Sequence, residues 1–136
     1  MCGLLSGKRI LLAEDSTLSQ KIISKMLERH GYRVDVAANG REAVEALDSA
    51  DYGAVLMDCQ MPEMDGYEAV ALIRQREGNT AHTPVIAMTA SEEAVARERC
   101  IAAGMDDYLT KPIDSEALSE TLARWIQRSA QKPGSA

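Results

Sequence analysis

Arg9-Ile10-Leu11-Leu12-Ala13-Glu14-Asp15 is a short, unbroken apolar run that ends in two acids. A run of this length without polar alternation suits a strand buried on both faces, as in a parallel sheet. The pattern returns in Ala54-Val55-Leu56-Met57, which ends in Asp58, and in Val85-Ile86-Ala87-Met88, which ends in Thr89. Val34 and Val36 alternate in a shorter strand, and Tyr108-Leu109 closes the series just ahead of Lys111.

Between these runs the apolar period becomes that of a helix. Ser16 or Thr17 caps a first helix whose apolar positions are Leu18, Ile22, Ile23, Met26 and Leu27, and Gly31 lets it end near His30. Asn39-Gly40 opens a second, with Ala43, Val44 and Leu47. A third runs from Tyr67 to about Arg76, and Val70 and Ile73 are inward candidates. Ser91 caps a fourth, Glu92 to Ala103, which is alanine-rich and weakly apolar. Asp114 caps the last, which carries Leu118, Leu122, Trp125 and Ile126 on one stripe. Five alternations of strand and helix predict one α/β domain: a doubly wound, five-stranded parallel sheet with helices on both faces. The domain is expected over residues 8–128, between flexible segments at 1–7 and 129–136.

The bulk numbers agree. At roughly 150 residues per domain, 136 residues make one domain. Phe is absent and aromatic residues are 4%, so the core must be aliphatic and methionine-rich. A net charge of −6 lacks the broad basic footprint that nucleic-acid phosphates demand. Cys2, Cys59 and Cys100 are odd in number and lack C-x-x-C spacing, which argues against a disulfide framework or zinc site and for the reducing cytoplasm. No secretory leader is evident at the N-terminus, and no apolar run approaches the ~18 residues of a membrane span.

In a doubly wound sheet the ligand site lies beyond the carboxyl ends of the strands. Glu14-Asp15, Asp58, Thr89 and Lys111 all follow their apolar runs directly, so the sheet brings them to one rim. Carboxylates about 4 Å apart repel by roughly 4 kcal/mol at an effective dielectric of 20. A hard divalent cation relieves that repulsion, and carboxylates with waters and phosphate oxygens are the usual surroundings of Mg²⁺. Lys111 and Thr89 then suit an anion beside the metal, as a point charge and a hydroxyl donor. Each residue taken singly also has an ordinary use: Glu14-Asp15-Ser16 as a capping cluster, Asp58 as a turn residue, Lys111-Pro112 as a solvated turn.

The set Glu14-Asp15, Asp58, Thr89 and Lys111-Pro112, with the string Met57-Asp58-Cys59-Gln60-Met61-Pro62-Glu63-Met64-Asp65-Gly66, resembles the receiver domain of two-component response regulators. Ala87-Met88-Thr89-Ala90 and Gly104-Met105-Asp106-Asp107-Tyr108-Leu109-Thr110-Lys111-Pro112 are similar to receivers attached to hybrid sensor histidine kinases. The resemblance covers about Lys8 to Gln127 and implies a flavodoxin-like strand order, 2-1-3-4-5. It implies that Asp58 is the phosphoacceptor, taking a phosphoryl group from a phosphohistidine. The metal would be Mg²⁺, with Mn²⁺ as a substitute, held by Asp15, Asp58 and the backbone carbonyl of Gln60, and by Glu14 through a water. Lys111 and Thr89 would contact the phosphoryl oxygens. Thr89 and Tyr108 would form a switch, and Gln60 and Ser91 would tune dephosphorylation.

The implied partners are a histidine kinase or a histidine phosphotransfer domain, with no nucleic acid and no membrane contact by the domain itself. A dimer would use the face of helix four, strand five and helix five. The location would be cytoplasmic, including as part of a membrane-anchored hybrid kinase, and the domain would catalyse only its own phosphorylation and dephosphorylation. Rival functions fit less well. An aspartate-nucleophile phosphohydrolase typically places a second Asp where Gln60 stands, and a flavodoxin-like nucleotide carrier would find Glu14-Asp15 repelling its phosphate. Cys59, beside the acceptor, is expected as a small buried hydrophobe, and neither His30 nor His82 as a ligand or phosphodonor.

Overall fold

Strands and helices alternate along the described residues, which are 9–50, 52–59, 66–77, 83–89, 94–110 and 113–131 of the computed structural model. The strands are β1 (Arg9–Ala13), β2 (Arg33–Ala37), β3 (Ala54–Asp58), β4 (Val85–Thr89) and β5 (Asp107–Thr110). The helices are α1 (Thr17–Arg29), α2 (Gly40–Ser49), α3 (Gly66–Glu77), α4 (Ala94–Ala103) and α5 (Ser115–Gln131). All strand pairs are parallel, in the order β2-β1-β3-β4-β5. This is the doubly wound architecture and strand order expected above.

The three apolar runs form the centre of the sheet because nothing in them needs water. Every residue of β3 and β4 is buried. On one face Ile10, Leu12, Leu56, Ile86 and Met88 meet Ile23 and Leu27 of α1 and Leu118 and Leu122 of α5. On the other, Leu11, Val55, Met57, Val85 and Ala87 meet Ala43 and Val44 of α2, Val70 and Ile73 of α3, and Cys100 of α4. The edge strand β2 is less buried than the central strands, and its Val36 stays exposed.

Local signals act where the sequence places them. The Ser16 side chain accepts from the amide of Ser19, Asn39 from that of Glu42, and Asp114 from that of Ala117. Gly31, with φ of 87°, lets the chain leave α1 in a left-handed conformation. Two expectations need correction. Leu18 and Ile22 belong to the apolar pattern of α1, yet they are 69% and 47% exposed, because Ile23 and Leu27 take the core-facing side. The last helix runs to Gln131, into the segment expected as tail, since no strong helix breaker precedes Pro133. Segment 1–7, the Ser91 cap and residues 132–136 lie outside the described residues.

Polar ties fix the ends of the elements. Tyr52 and Arg9 both donate to Asp35 Oδ2, at 2.7 Å from the Tyr52 hydroxyl and 2.8 Å from the nearer Arg9 nitrogen. These bonds hold the Asp35 carboxyl below the usual carboxylate range, so this latch persists as pH falls until that lowered value is crossed. Trp125 Nε1 donates to Asp107 Oδ2 at 3.0 Å and joins α5 to β5. Arg74 of α3 donates to Asp106 Oδ2, to the Gly104 carbonyl and to the Thr83 carbonyl at 2.7, 2.9 and 2.8 Å. Asp106 also accepts from the Val85 amide, so one guanidinium locks the starts of β4 and β5 to α3. Both side chains are mostly buried, and removing one partner strands the other. Arg74→Ala is therefore expected to lose about 3 kcal/mol of stability. The urea midpoint reads that loss, and a change below about 0.5 kcal/mol, the ordinary surface value, contradicts it.

Candidate functional site

The register sets the rim. Ala13 pairs with Met57, so Glu14 stands level with Asp58, the last residue of β3. Asp58 pairs with Met88, and Thr89 pairs with Thr110 one step further. Glu14 is buried, and its position is fixed three ways. Its amide donates to the Ala37 carbonyl at 3.0 Å, its Oε2 accepts from the Ser16 amide at 3.0 Å, and its carbonyl accepts from Gln20 Nε2 at 2.6 Å. Asp15 turns outward and is exposed, while Asp58 is 5% exposed.

Glu14, Asp15 and Asp58 each bring one carboxylate oxygen to within 4.8 Å of the others. Three hard anionic oxygens so close repel one another unless a cation lies between them. The donor set is all oxygen, which fits Mg²⁺ or Mn²⁺ and not a soft thiophilic ion. The residues present therefore fit the metal that the sequence implies.

A residue to which sequence reasoning gave no role builds the other wall. The amide of Gly66, first in α3, donates to the Cys59 carbonyl at 3.3 Å. A Cβ at this position would stand 2.4 Å from the Asp58 carbonyl oxygen, closer than atoms can pack. Only glycine allows α3 to begin against the backbone that carries Asp58. The signal was present in the Met64-Asp65-Gly66 string, but nothing local said that another strand would pass so near.

Thr89 is buried at the end of β4. Tyr108 is half-buried against the α2–α4 side of the core and lines an open hollow with Thr121 and Arg124. The structure thus gathers Glu14, Asp15 and Asp58, with Thr89 one strand away and Tyr108 on the strand beyond. Gln60, Ser91 and Lys111 lie outside the described residues. So does His82, while His30 contacts the Ser115 hydroxyl at 3.1 Å, bridging α1 to α5. Cys59 is buried, as expected. Burial pushes its thiol up to about 12, partly opposed by a hydrogen bond with Tyr67, and its Sγ lies 3.8 Å from that of Cys100.

Comparison with known proteins gives a consistent picture. The family model for the response regulator receiver domain matches residues 10–123. The chain is 42% identical over 120 residues to the hybrid signal transduction protein dokA of Dictyostelium discoideum, covering 88% of this chain and 7% of that protein. It is 36% identical to histidine kinase 1 of Arabidopsis thaliana, over 93% of this chain and 13% of that one. The chain therefore spans a small part of the length of these relatives. Among solved structures, the receiver domain of the Pseudomonas aeruginosa sensor histidine kinase PA1611 superposes with a TM-score of 0.81 and 44% identity, covering 89% of this chain and 98% of that one. That structure holds a magnesium ion in its active-site cleft. The receiver domain of Ssk1 from Saccharomyces cerevisiae, crystallised with the histidine phosphotransfer protein Ypd1, superposes with a TM-score of 0.80 and 31% identity, over 86% and 87% of the two chains.

Proposed function

The chain belongs to the response regulator receiver domain family, and we propose that Asp58 is its phosphoacceptor, charged by a phosphohistidine on a histidine kinase or phosphotransfer protein. The observation that carries this assignment is the convergence of Glu14, Asp15 and Asp58 within 4.8 Å at the end of the central strand. In the transfer, an Asp58 oxygen attacks phosphorus as the N–P bond of the donor breaks, and the product is an acyl phosphate.

Phosphoryl transfer needs positioning and charge neutralisation more than covalent help. When bound, Mg²⁺ neutralises phosphoryl oxygens that Asp58 would otherwise repel. Asp15, Asp58 and the Gln60 carbonyl would hold the metal, and Glu14, pinned by Ser16 and Gln20, would act through a water. Lys111 pairs with the phosphoryl oxygens and Thr89 donates to one of them. Gln60 and Ser91, two places after Asp58 and Thr89 in the sequence, tune the lifetime of the acyl phosphate. The domain acts in the cytoplasm as a switch, not as a turnover enzyme. Among the described residues no helix is long and apolar enough to cross a membrane.

The exposed Leu18 and Ile22, one turn apart on α1 and a few residues from Asp15, supply an apolar surface beside the acids on which a donor can seat. The test is transfer from a labelled phosphohistidine phosphotransfer protein. Acid-labile label appears on this chain with Mg²⁺ and not with EDTA. Label that ignores EDTA, or no label from either that donor or acetyl phosphate, overturns the assignment.

The phosphoryl group adds about −1.5 to −2 charge and three acceptor oxygens to the rim. Thr89 moves towards them and opens space that Tyr108 enters, shifting the face of α4, β5 and α5, which is also the surface for a dimer. Thr89→Ala should still accept phosphate, because nucleophile and metal ligands remain. Its amide shifts over residues 92–109 on adding beryllofluoride, a phosphoryl mimic, should fall well below those of the wild type. Equal shifts in the two proteins would mean that the coupling takes another route.

A further inference from the structure

Cys59 and Cys100 are the two buried thiols of the described residues, and no role in phosphoryl transfer uses either. They come from different elements. Cys59 follows Asp58 directly, and its backbone is held on both sides, by its amide on the Met88 carbonyl at 3.1 Å and by its carbonyl on the Gly66 amide. Cys100 sits on α4, the helix of the responding face. Of the α4 side chains described, residues 98–103, Cys100 alone is fully buried, while Glu98, Arg99, Ile101 and Ala102 are exposed. Cys100 thus enters the core from this helix, and there its thiol rests on that of Cys59, with Sγ atoms 3.8 Å apart. Further ties are Ala103, half-buried against the same core, the Tyr67 side chain, which hydrogen-bonds both thiols, and Arg99, whose guanidinium lies 4.5 Å above the Tyr67 ring.

We propose that Cys59 and Cys100 form a reversible disulfide under hydroperoxide stress, fastening α4 to the turn that follows Asp58 and holding the responding face in its resting position. Van der Waals contact at 3.8 Å must shorten to about 2.05 Å, which a small inward shift of α4 supplies because the Cys59 backbone is fixed. Cys59 retains slight exposure and Cys100 has none, so peroxide meets Cys59 first. Its sulfur attacks the peroxide oxygen, the O–O bond breaks, and one water leaves with the thiol proton. The resulting sulfenic acid is attacked by Cys100 sulfur, the S–O bond breaks, the Cys100 proton departs with the second water, and the S–S bond remains. Two thiols lose two electrons to one peroxide. Burial disfavours the thiolate, so the reaction is slow and answers sustained oxidant. Because the resolving thiol already touches its partner, the sulfenic acid is captured before it passes to the irreversible sulfinic acid. A dithiol reductant restores both thiols.

The cross-link stands on the sulfur geometry alone, whereas its effect on signalling rests on Asp58 as phosphoacceptor, and separate readouts distinguish the two. The whole chain carrying Cys2→Ser is treated with hydrogen peroxide, quenched by an alkylating agent in denaturant, and weighed. A loss of about 2 Da is expected, with tryptic peptides 42–74 and 100–124 joined, and Cys100→Ala added to that background abolishes both signs. Sulfinic acid on one cysteine, cross-links only between chains, or unfolding by circular dichroism upon oxidation each overturns the proposal. Beryllofluoride is then added to the oxidised and reduced forms. Amide shifts over residues 98–105 should be at least about threefold smaller in the oxidised form and return with dithiothreitol, while those at Glu14–Ser16 persist in both. A cross-linked protein whose α4 responds in full sinks the locking role and leaves the phosphoacceptor assignment intact. Loss of the response at Glu14–Ser16 in the reduced form strikes that assignment instead.

Discussion

Asp58→Asn is expected to eliminate acid-labile phosphorylation, with incorporation at least about a hundredfold below wild type, or roughly 2.7 kcal/mol or more of lost transition-state stabilisation. An amide has no anionic oxygen to attack phosphorus, and Asp58 is the one carboxylate that the central strand delivers to the rim. The loss would not come from unfolding. Asn keeps the shape of the buried Asp58 side chain and removes a charge that repels Glu14 and Asp15, so metal-free stability should hold or rise. Labelling by acetyl phosphate and thermal melting in EDTA measure the two halves. Undiminished label on the variant would place the phosphoryl group elsewhere.

Asp15→Asn separates metal binding from folding. Asp15 is the exposed member of the acidic trio, so its side chain adds little packing while its charge adds both repulsion and affinity. Mg²⁺ affinity, followed by titration calorimetry, should drop at least about tenfold, which is 1.4 kcal/mol. Without metal the variant should be more stable by about 1 kcal/mol, because an exposed charge is screened by water and salt. That gain corresponds to a melting point higher by about 4 °C for a domain of this size. In saturating Mg²⁺ the order reverses, since the wild type gains more from binding. A lower melting point for Asp15→Asn in EDTA would disprove the clustering of like charges.

The architecture was legible because β1, β3 and β4 are buried on both faces and leave unbroken apolar runs. The acids were legible because each follows its run at once, so finding the strands found the rim. Contacts between remote segments were not. Leu18 and Ile22 carry helical periodicity like Ile23 and Leu27, and period alone cannot say which part of a wide stripe meets the sheet. Arg74 looks like any charge near the end of a helix until β4 and β5 bring Thr83, Gly104 and Asp106 to it. The nearness of Cys59 to Cys100, 41 positions apart, depends on how α4 lies against the end of β3. Gly66 shows the same limit, since the need for glycine arises from a chain that passes behind it.

The bond from Trp125 to Asp107 makes the seam between α5 and β5 visible to light. Trp125 is the sole indole of the sequence, and it donates to a carboxylate one residue before Tyr108. Indole emission is sensitive to a nearby anion and to the strength of its N–H hydrogen bond. A displacement of β5 by the entry of Tyr108 would alter both, whereas a metal settling quietly at the rim would leave them unchanged. If Asp58 takes up the phosphoryl group and β5 responds as proposed, this intrinsic fluorophore would report in real time, without labelling, whether that charge has been converted into movement.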